Sequence, residues 1–293
     1  RYTVADGMRD GNVLGFDSVP QPTYKDKDLR KAVALEKAKA QDETEVFAND
    51  SKKKIYMHWM YDVPMGEQLD DDGDSLESIE GCLTDAQYNR DEHRKAVIDD
   101  ILDNWVSQSH NGKFHAILAT SSIPEAIKYY KLFAQRDCGL KTTAVFDPSD
   151  GNNESSIEKI DGIAQMLEDY NSLFGTCFNI SGYASFKRDV CARLAHKTPY
   201  TAVENEPSKC LDILIVVDQM LTGYDSKWLN TLYMDKFYKW SNIEMIIQAF
   251  SRTNRVFNDD KPHGIIRYYR RPYTMKNIIE YAFVQYSGQK PYG

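Results

Sequence analysis

The chain has 293 residues, 42% hydrophobic and 27% charged, with a formal net charge of −8. That composition suits one large globular domain, or a core domain with an added subdomain, and no run of about eighteen apolar residues is present to span a membrane. The acidic balance excludes a protein that coats DNA by bulk electrostatics but leaves room for a local basic groove. Five cysteines (Cys82, Cys138, Cys177, Cys191, Cys210) are odd in number and form no CxxC pair. They read as reduced thiols of a cytoplasmic protein. A start at Arg1, with neither an initiator Met nor a signal peptide, predicts a fragment or processed chain.

The first third is weakly patterned. TVADGMRDGNVLGF predicts a short helix, a turn at Gly11 and a strand that Pro20 and Pro22 end. Leu29 to Phe47, rich in Ala, Lys and Glu, predicts one exposed helix. Lys54 to Val63 predicts a strand. The stretch from Tyr61 to Asp85 carries Asp70, Asp71, Asp72 and Asp74 and no Lys or Arg, which predicts a solvated loop. Thr84 to Ser107 predicts a helix with Tyr88, Val97, Ile98, Ile101, Leu102 and Trp105 on its apolar stripe.

From Lys113 onward strands and helices alternate, which predicts a mainly parallel sheet with helices on both faces. FHAILAT (Phe114 to Thr120) is the first such strand. Ser122 and Glu125 form a capping-box signature for a helix over Ile123 to Gln135, with Pro124 in its first turn. KTTAVF (Lys141 to Phe146) is the next strand, followed by the polar loop DPSDGNNESS. Helices are expected over Ile157 to Leu173 and Ser185 to Ala195. LDILIVV (Leu211 to Val217) is apolar on both faces, as a covered central strand would be. LNTLYMD and GIIRYY complete the set. The organisation expected is a mostly helical lead-in over 1–110 and an α/β domain over 111–293.

Two pieces carry chemistry. Strand Leu211 to Val217 runs into DQMLTGYD. Ligands of an open parallel sheet sit beyond the carboxyl ends of its strands, where this loop is expected. Thr222 offers a hydroxyl, Gly223 a close backbone approach and Asp225 an acceptor for a sugar hydroxyl. Taken alone the loop also reads as a plain turn. The second piece, IIQAFSRTNR (Ile246 to Arg255), predicts a helix with a capping box at Ser241 and Glu244. At about 100° per residue, Arg252 and Arg255 fall within about 40° of Gln248, opposite Ile243, Ile246, Ile247 and Phe250. Any surface helix has a polar face, so that row alone is not diagnostic. Planar, permanently charged guanidiniums do fork onto phosphate oxygens. The segment from Arg252 to Arg271 holds six basic residues against Asp259 and Asp260.

LTGYDSKWLNTLYMDK resembles motif V of superfamily 2 helicases, and QAFSRTNR resembles motif VI. The wording is closer still to the R subunit of type I restriction enzymes. FHAILATSSIPEAIKYYKLF resembles its motif IV region, and LTDAQYNRDEHRKAVIDDIL and YTVADGMRDGNVL resemble further segments. The resemblance implies the second RecA-like domain of a DNA translocase and endonuclease. It implies that Arg252 and Arg255 face the γ-phosphate of ATP held by a first RecA-like domain of the same protein. Gln248, Gly223 and Asp225 would line that cleft, and Thr222, Ser121 and Ser122 would face nucleic acid. Tyr224 stands where the family often has Phe. Implied partners are double-stranded DNA and the methyltransferase and specificity subunits.

Other segments carry less. No GxxxxGK[ST] loop, DEAH-like carboxylate pair or nuclease set of carboxylates and lysine is present, so the Mg2+ ligands are expected on the rest of the protein and the chain alone is expected to be inactive. Cys191 and His196 read as a helical Cys and an incidental His, and His58, His93 and His110 lack metal-ligand spacing. Two other readings stay open: the motor half of another superfamily 2 helicase, and a non-catalytic α/β interaction module.

Overall fold

The computed structural model describes residues 14–136, 138–146, 156–217, 221 and 224–287. Its centre is a six-stranded sheet. The strands are β1 (Gly15–Pro20), β2 (His115–Thr120), β3 (Thr142–Val145), β4 (Ile213–Val216), β5 (Leu229–Asp235) and β6 (His263–Tyr268). Their order is β1-β6-β5-β2-β4-β3, and every pairing is parallel. Each residue of β2, β4 and β5 is buried. Side chains alternate between faces along a strand, so both faces of the central sheet are covered.

Helices α1 (Asp26–Lys37), α2 (Glu43–Phe47) and α3 (Asp50–Tyr61) precede α4 (Asp91–Gln108). Then come α5 (Ile123–Gln135), α6 (Ser156–Phe174), α7 (Tyr183–Leu194), α8 (Ile243–Phe250) and α9 (Pro272–Ser287). Ser122 caps α5 by accepting from Glu125 N at 3.4 Å. The Glu125 carboxylate does not return the capping-box bond. It is taken bidentately by buried Arg94 of α4, both contacts at 2.7 Å.

The segment expected as a lead-in supplies two parts of the sheet layer. β1 pairs with β6 along its whole length. α4 buries Val97, Ile98, Ile101 and Trp105 in the main core. Residues 24–88 build a second, smaller core around Val33, Tyr56, Trp59, Ile79 and Tyr88.

Lys54 to Val63 is helical rather than a strand. Asn49 caps α3 by accepting from Ser51 N and Lys52 N. Tyr56, Trp59, Met60 and Val63 then meet the core at helical spacing while Ile55 and Met57 face outward. The single helix expected over Leu29 to Phe47 is divided: Lys39 takes a positive φ of 51°, and Asp42 caps α2 through Glu45 N. The helix expected from Thr84 starts only at Asp91, after a 3-10 turn at Asp85–Gln87. The turn expected at Gly11 and most of the polar loop after Phe146 lie outside the described residues.

The acidic stretch is folded. Asp70 accepts from Asp72 N and Asp74 N. Glu80 is buried and accepts from Tyr273 N and Thr274 N, so it caps α9 from outside. Burial pushes its carboxyl up, opposed by those bonds. These residues cover the carboxyl ends of β5 and β6 together with His93, which meets Asp235, and Asn89, which meets Arg270.

Candidate functional site

α8 connects β5 to the parallel neighbour β6, so it starts at the carboxyl ends of the strands and finishes at their amino ends. It stops at Phe250, with Ser251 as C-cap. The expected helix through Arg255 and the capping box at Ser241 are therefore corrected. Ser241 sits in a 3-10 turn over Trp240–Asn242, and the helix has no side-chain cap. The Thr253 hydroxyl donates back to Phe250 O, and residues 254–258 form no regular secondary structure. Gln248 remains on α8 and is exposed.

The arginines consequently lie at the amino edge of the sheet, not beyond its carboxyl ends. Asn254 O accepts from Leu14 N, just before β1. Trp228 O accepts from His115 N at the start of β2. The segment from Tyr224 to Trp228 has likewise crossed from the end of β4 to the start of β5. The two chemistry-bearing pieces do come together there, through three cationic side chains.

Arg252 donates from Nε to Leu221 O at 3.1 Å and from one terminal nitrogen to Tyr224 O at 3.0 Å. Arg255 donates from Nε to Asp225 Oδ1 at 2.6 Å. Lys261 donates from Nζ to Leu229 O at 2.7 Å and Lys227 O at 3.2 Å. The order along 252–261 matches the order along 221–229, so the cations act as a row of staples between the two segments. Thr222 and Gly223 lie outside the described residues.

The three cations differ in exposure. Arg255 is 37% exposed and its partner Asp225 66%. Among the described residues, the terminal nitrogens of Arg255 find no hydrogen-bond partner. Arg252 is half-buried; burial lowers its pKa, with the Arg255 charge acting in the same direction and Asp225 against it. Lys261 is fully buried, and its pKa is pushed down to about 7, first by burial and then by Arg255. Such an arrangement commits Arg252 and Lys261 to backbone carbonyls and leaves one guanidinium edge available to an anion.

Lys261 and Gly264 belong to this site but lie outside the motifs that point to it. Lys261 follows Asp259 and Asp260 and reads as part of a charged turn. Gly264 on β6 lies under Thr253: a Cβ there would stand 2.8 Å from Thr253 Cβ and 3.0 Å from its carbonyl carbon. Only glycine lets the arginine segment lie this close to the sheet. The cue in the sequence was the Gly of HGIIRYY, nine residues beyond the motif.

Tyr224 packs inward, its hydroxyl 3.1 Å from His115 Nε2. Burial holds the His115 ring well below the usual imidazole range. Beside this row the Trp228 ring stacks on His196 at 3.9 Å and meets Phe257 at 4.6 Å. Trp228 and His196 wall a cavity of about 460 Å³ that Lys113 and Lys141 also line. His196 Nδ1 lies 3.0 Å from Glu204; burial lowers the His196 pKa, and Glu204 opposes the shift. Among the described residues no group of three His, Cys, Asp or Glu side chains could hold a metal, and no helix is long and apolar enough to cross a membrane.

Ser121 and Ser122 lie at the other edge, directly after β2. The Ser122 hydroxyl is occupied by its cap bond to Glu125 N. A six-residue strand rises about 20 Å, so the serines and the arginines are separated by roughly the height of the sheet.

The model for type I restriction enzyme subunit R domain 3 matches residues 112–271. The type I restriction enzyme SsaAORF53P endonuclease subunit of Staphylococcus saprophyticus is 32% identical over 278 residues, 92% of this chain and 24% of that protein. The putative type I restriction enzyme MjaIXP endonuclease subunit of Methanocaldococcus jannaschii is 44% identical over 61 residues, 21% of this chain and 6% of that protein. The chain thus spans about a quarter of the relative it matches at length. Among solved structures, the ATP-dependent Type ISP restriction-modification enzyme LlaBIII bound to DNA aligns with 98% of this chain and 15% of its own, at 12% identity and a TM-score of 0.40. The C-terminal part of the Fun30 ATPase domain aligns with 91% of this chain and 67% of its own, at 10% identity and a TM-score of 0.36.

Proposed function

The chain belongs to the type I restriction enzyme subunit R family, matching its domain 3, and from that premise we propose that it is the second RecA-like half of an ATP-driven DNA translocase. ATP and its Mg2+ are held by a first RecA-like domain elsewhere in the protein. Arg255 reaches across to the triphosphate and stabilises charge on the transferring phosphoryl group. Asp225 aims Arg255 and accepts from the ribose or from Arg255 as the cleft opens and closes. Arg252 braces the loop and, with Gln248 and Gly223, completes the nucleotide-facing side.

Thr222, Ser121 and Ser122 serve the double-stranded DNA, with Ser121 and Ser122 at the opposite edge of the sheet from the arginines. Separate edges let closure on the nucleotide be converted into displacement of DNA. In this reading the whole cytoplasmic enzyme, with its methyltransferase and specificity subunits, pulls DNA past a fixed point and cuts it elsewhere.

The observation that carries this reading is the exposed guanidinium edge of Arg255, held by Asp225 in a loop stapled on both sides. Its position supports a shared site. A doubly wound sheet binds its own ligands beyond its carboxyl ends, and here those ends at β5 and β6 are covered. A cation at the amino edge is placed to serve a ligand anchored on another body.

The test is ATP hydrolysis by the full-length protein. Arg255→Ala is expected to lower kcat on the order of a thousandfold, as for arginines supplied from outside a phosphate site. The isolated chain is expected to have no measurable ATPase. An unchanged full-length ATPase would favour an interaction module instead.

A further inference from the structure

We infer that Lys261 is a positioning residue of the arginine site, holding the Asp225–Arg255 pair in place through the carbonyls of Lys227 and Leu229. This inference rests on the proposed role of Arg255 and assigns a second residue to it. Lys261 is fully buried, which is rare for lysine unless its nitrogen is hydrogen-bonded. Its two acceptors bracket Trp228 at the entrance to β5, two and four residues beyond Asp225. Lys261 N also donates to Asn258 O, which closes the turn that brings the side chain back under the arginine segment. Trp228 and Lys227 also meet the Phe257 ring, but among the described residues the Lys261 nitrogen supplies the hydrogen bonds that tie residues 227–229 to that segment.

The nitrogen has two described acceptors and, when protonated, three hydrogens. A neutral amine satisfies both carbonyls. The third proton of an ammonium meets no described acceptor and places a second positive charge beside Arg255. The groups facing this nitrogen are Arg255 from its own segment and His115 from β2. Nearby carboxylates are engaged elsewhere: Asp225 with Arg255, and Asp260 with Lys113. Lys227 faces it with its carbonyl. Burial has already brought the side chain to titrate at about 7, so the neutral form predominates just above neutrality. Protonation below that point pushes on Arg255, and the site is predicted to work less well there.

The experiment compares full-length wild type with Lys261→Met and Lys261→Gln, with Arg255→Ala as a control, following ATP hydrolysis. Lys261→Met keeps length and packing but removes both donors. It is expected to lower kcat about a hundredfold, the cost of a small misplacement in a catalytic constellation, with the KM for ATP within about threefold. Lys261→Gln keeps two donated hydrogens without a titratable nitrogen and is expected to recover at least about tenfold of that loss. The ratio of wild-type to Lys261→Gln activity is expected to rise between about pH 6 and pH 8.

A Lys261→Met enzyme with wild-type kcat overturns the inference. Equal losses in both variants, with a pH-independent ratio to wild type, also overturn it, because they reduce Lys261 to packing. If Lys261→Met does not fold, the pH ratio against Lys261→Gln decides alone: rising supports the inference, flat rejects it. An Arg255→Ala enzyme with intact ATPase refutes the role of Arg255 itself, whatever the Lys261 variants do.

Discussion

Arg255 donates from Nε to Asp225 Oδ1 across 2.6 Å and so joins the segment after α8 to the segment before β5 at the amino edge of the sheet. The pair is exposed, and exposed pairs contribute only about 0–1 kcal/mol. Its importance is directional: it commits one edge of the guanidinium to Asp225 and leaves the other free. Asp225→Ala is therefore expected to change unfolding free energy by less than about 1 kcal/mol. In the full-length protein it should still lower kcat for ATP on the order of tenfold, through loss of aim. Denaturant melts and steady-state kinetics on the same preparation check both halves.

Arg252 should behave in the opposite sense. It donates to two main-chain carbonyls of residues that are themselves buried. Removing a donor leaves those acceptors unpaired, at about 1–3 kcal/mol each. Arg252→Ala is expected to destabilise the chain by at least about 2 kcal/mol by that reckoning, as well as lowering ATPase. A destabilisation equal to that of Arg255→Ala would mean that the two arginines share one role.

Gly264→Ala tests how the arginine segment is seated. The added methyl would collide with Thr253, whose own hydroxyl is bonded to Phe250 O. The segment must move away from β6. The expected cost is about 1–3 kcal/mol of overpacking, with a fall in ATPase larger than that stability loss alone would produce. Thermal melts and kinetics at a temperature well below the transition separate the two.

At the opposite edge, buried Asp235 accepts from His93, Tyr129 and Arg270. Burial pushes its carboxyl up, but His93 and Arg270 outweigh burial and hold it well below the usual carboxylate range. A carboxylate with a depressed folded pKa adds stability that is fully present above its unfolded value of 3.8 and is lost as pH falls through the folded value. The chain is therefore expected to lose stability below about pH 4. Asp235→Asn should remove that acid-dependent increment and cost about 3–5 kcal/mol near neutral pH, because it strands a buried Arg270. Urea titrations at several pH values measure both effects.

The sheet was readable because its signals are local. LDILIVV is apolar on both faces, FHAILAT is a short apolar run of strand length, and a helix between them carries a cap at Ser122. The lead-in was harder. The Lys54 to Val63 segment has β-prone Tyr, Trp and Val, and only the Asn49 cap and the spacing of Tyr56, Trp59 and Val63 decide for a helix. At the candidate site the residues were legible but their geometry was not. Helical spacing continues through SRTNR, yet the helix ends at Phe250, where the Thr253 hydroxyl bonds back to Phe250 O and Gly264 lets the segment lie against β6. That end places both arginines at the amino edge. Lys261 was hidden because burial of a lysine is decided by carbonyls more than thirty residues away in sequence.

The most direct test of the central claim is single-turnover hydrolysis of pre-bound ATP by full-length Arg255→Ala protein. The chemical step is expected to slow on the order of a thousandfold while ATP and DNA affinities and unfolding free energy stay close to wild type. Hydrolysis at the wild-type rate, or a loss explained wholly by weaker ATP binding, would contradict it.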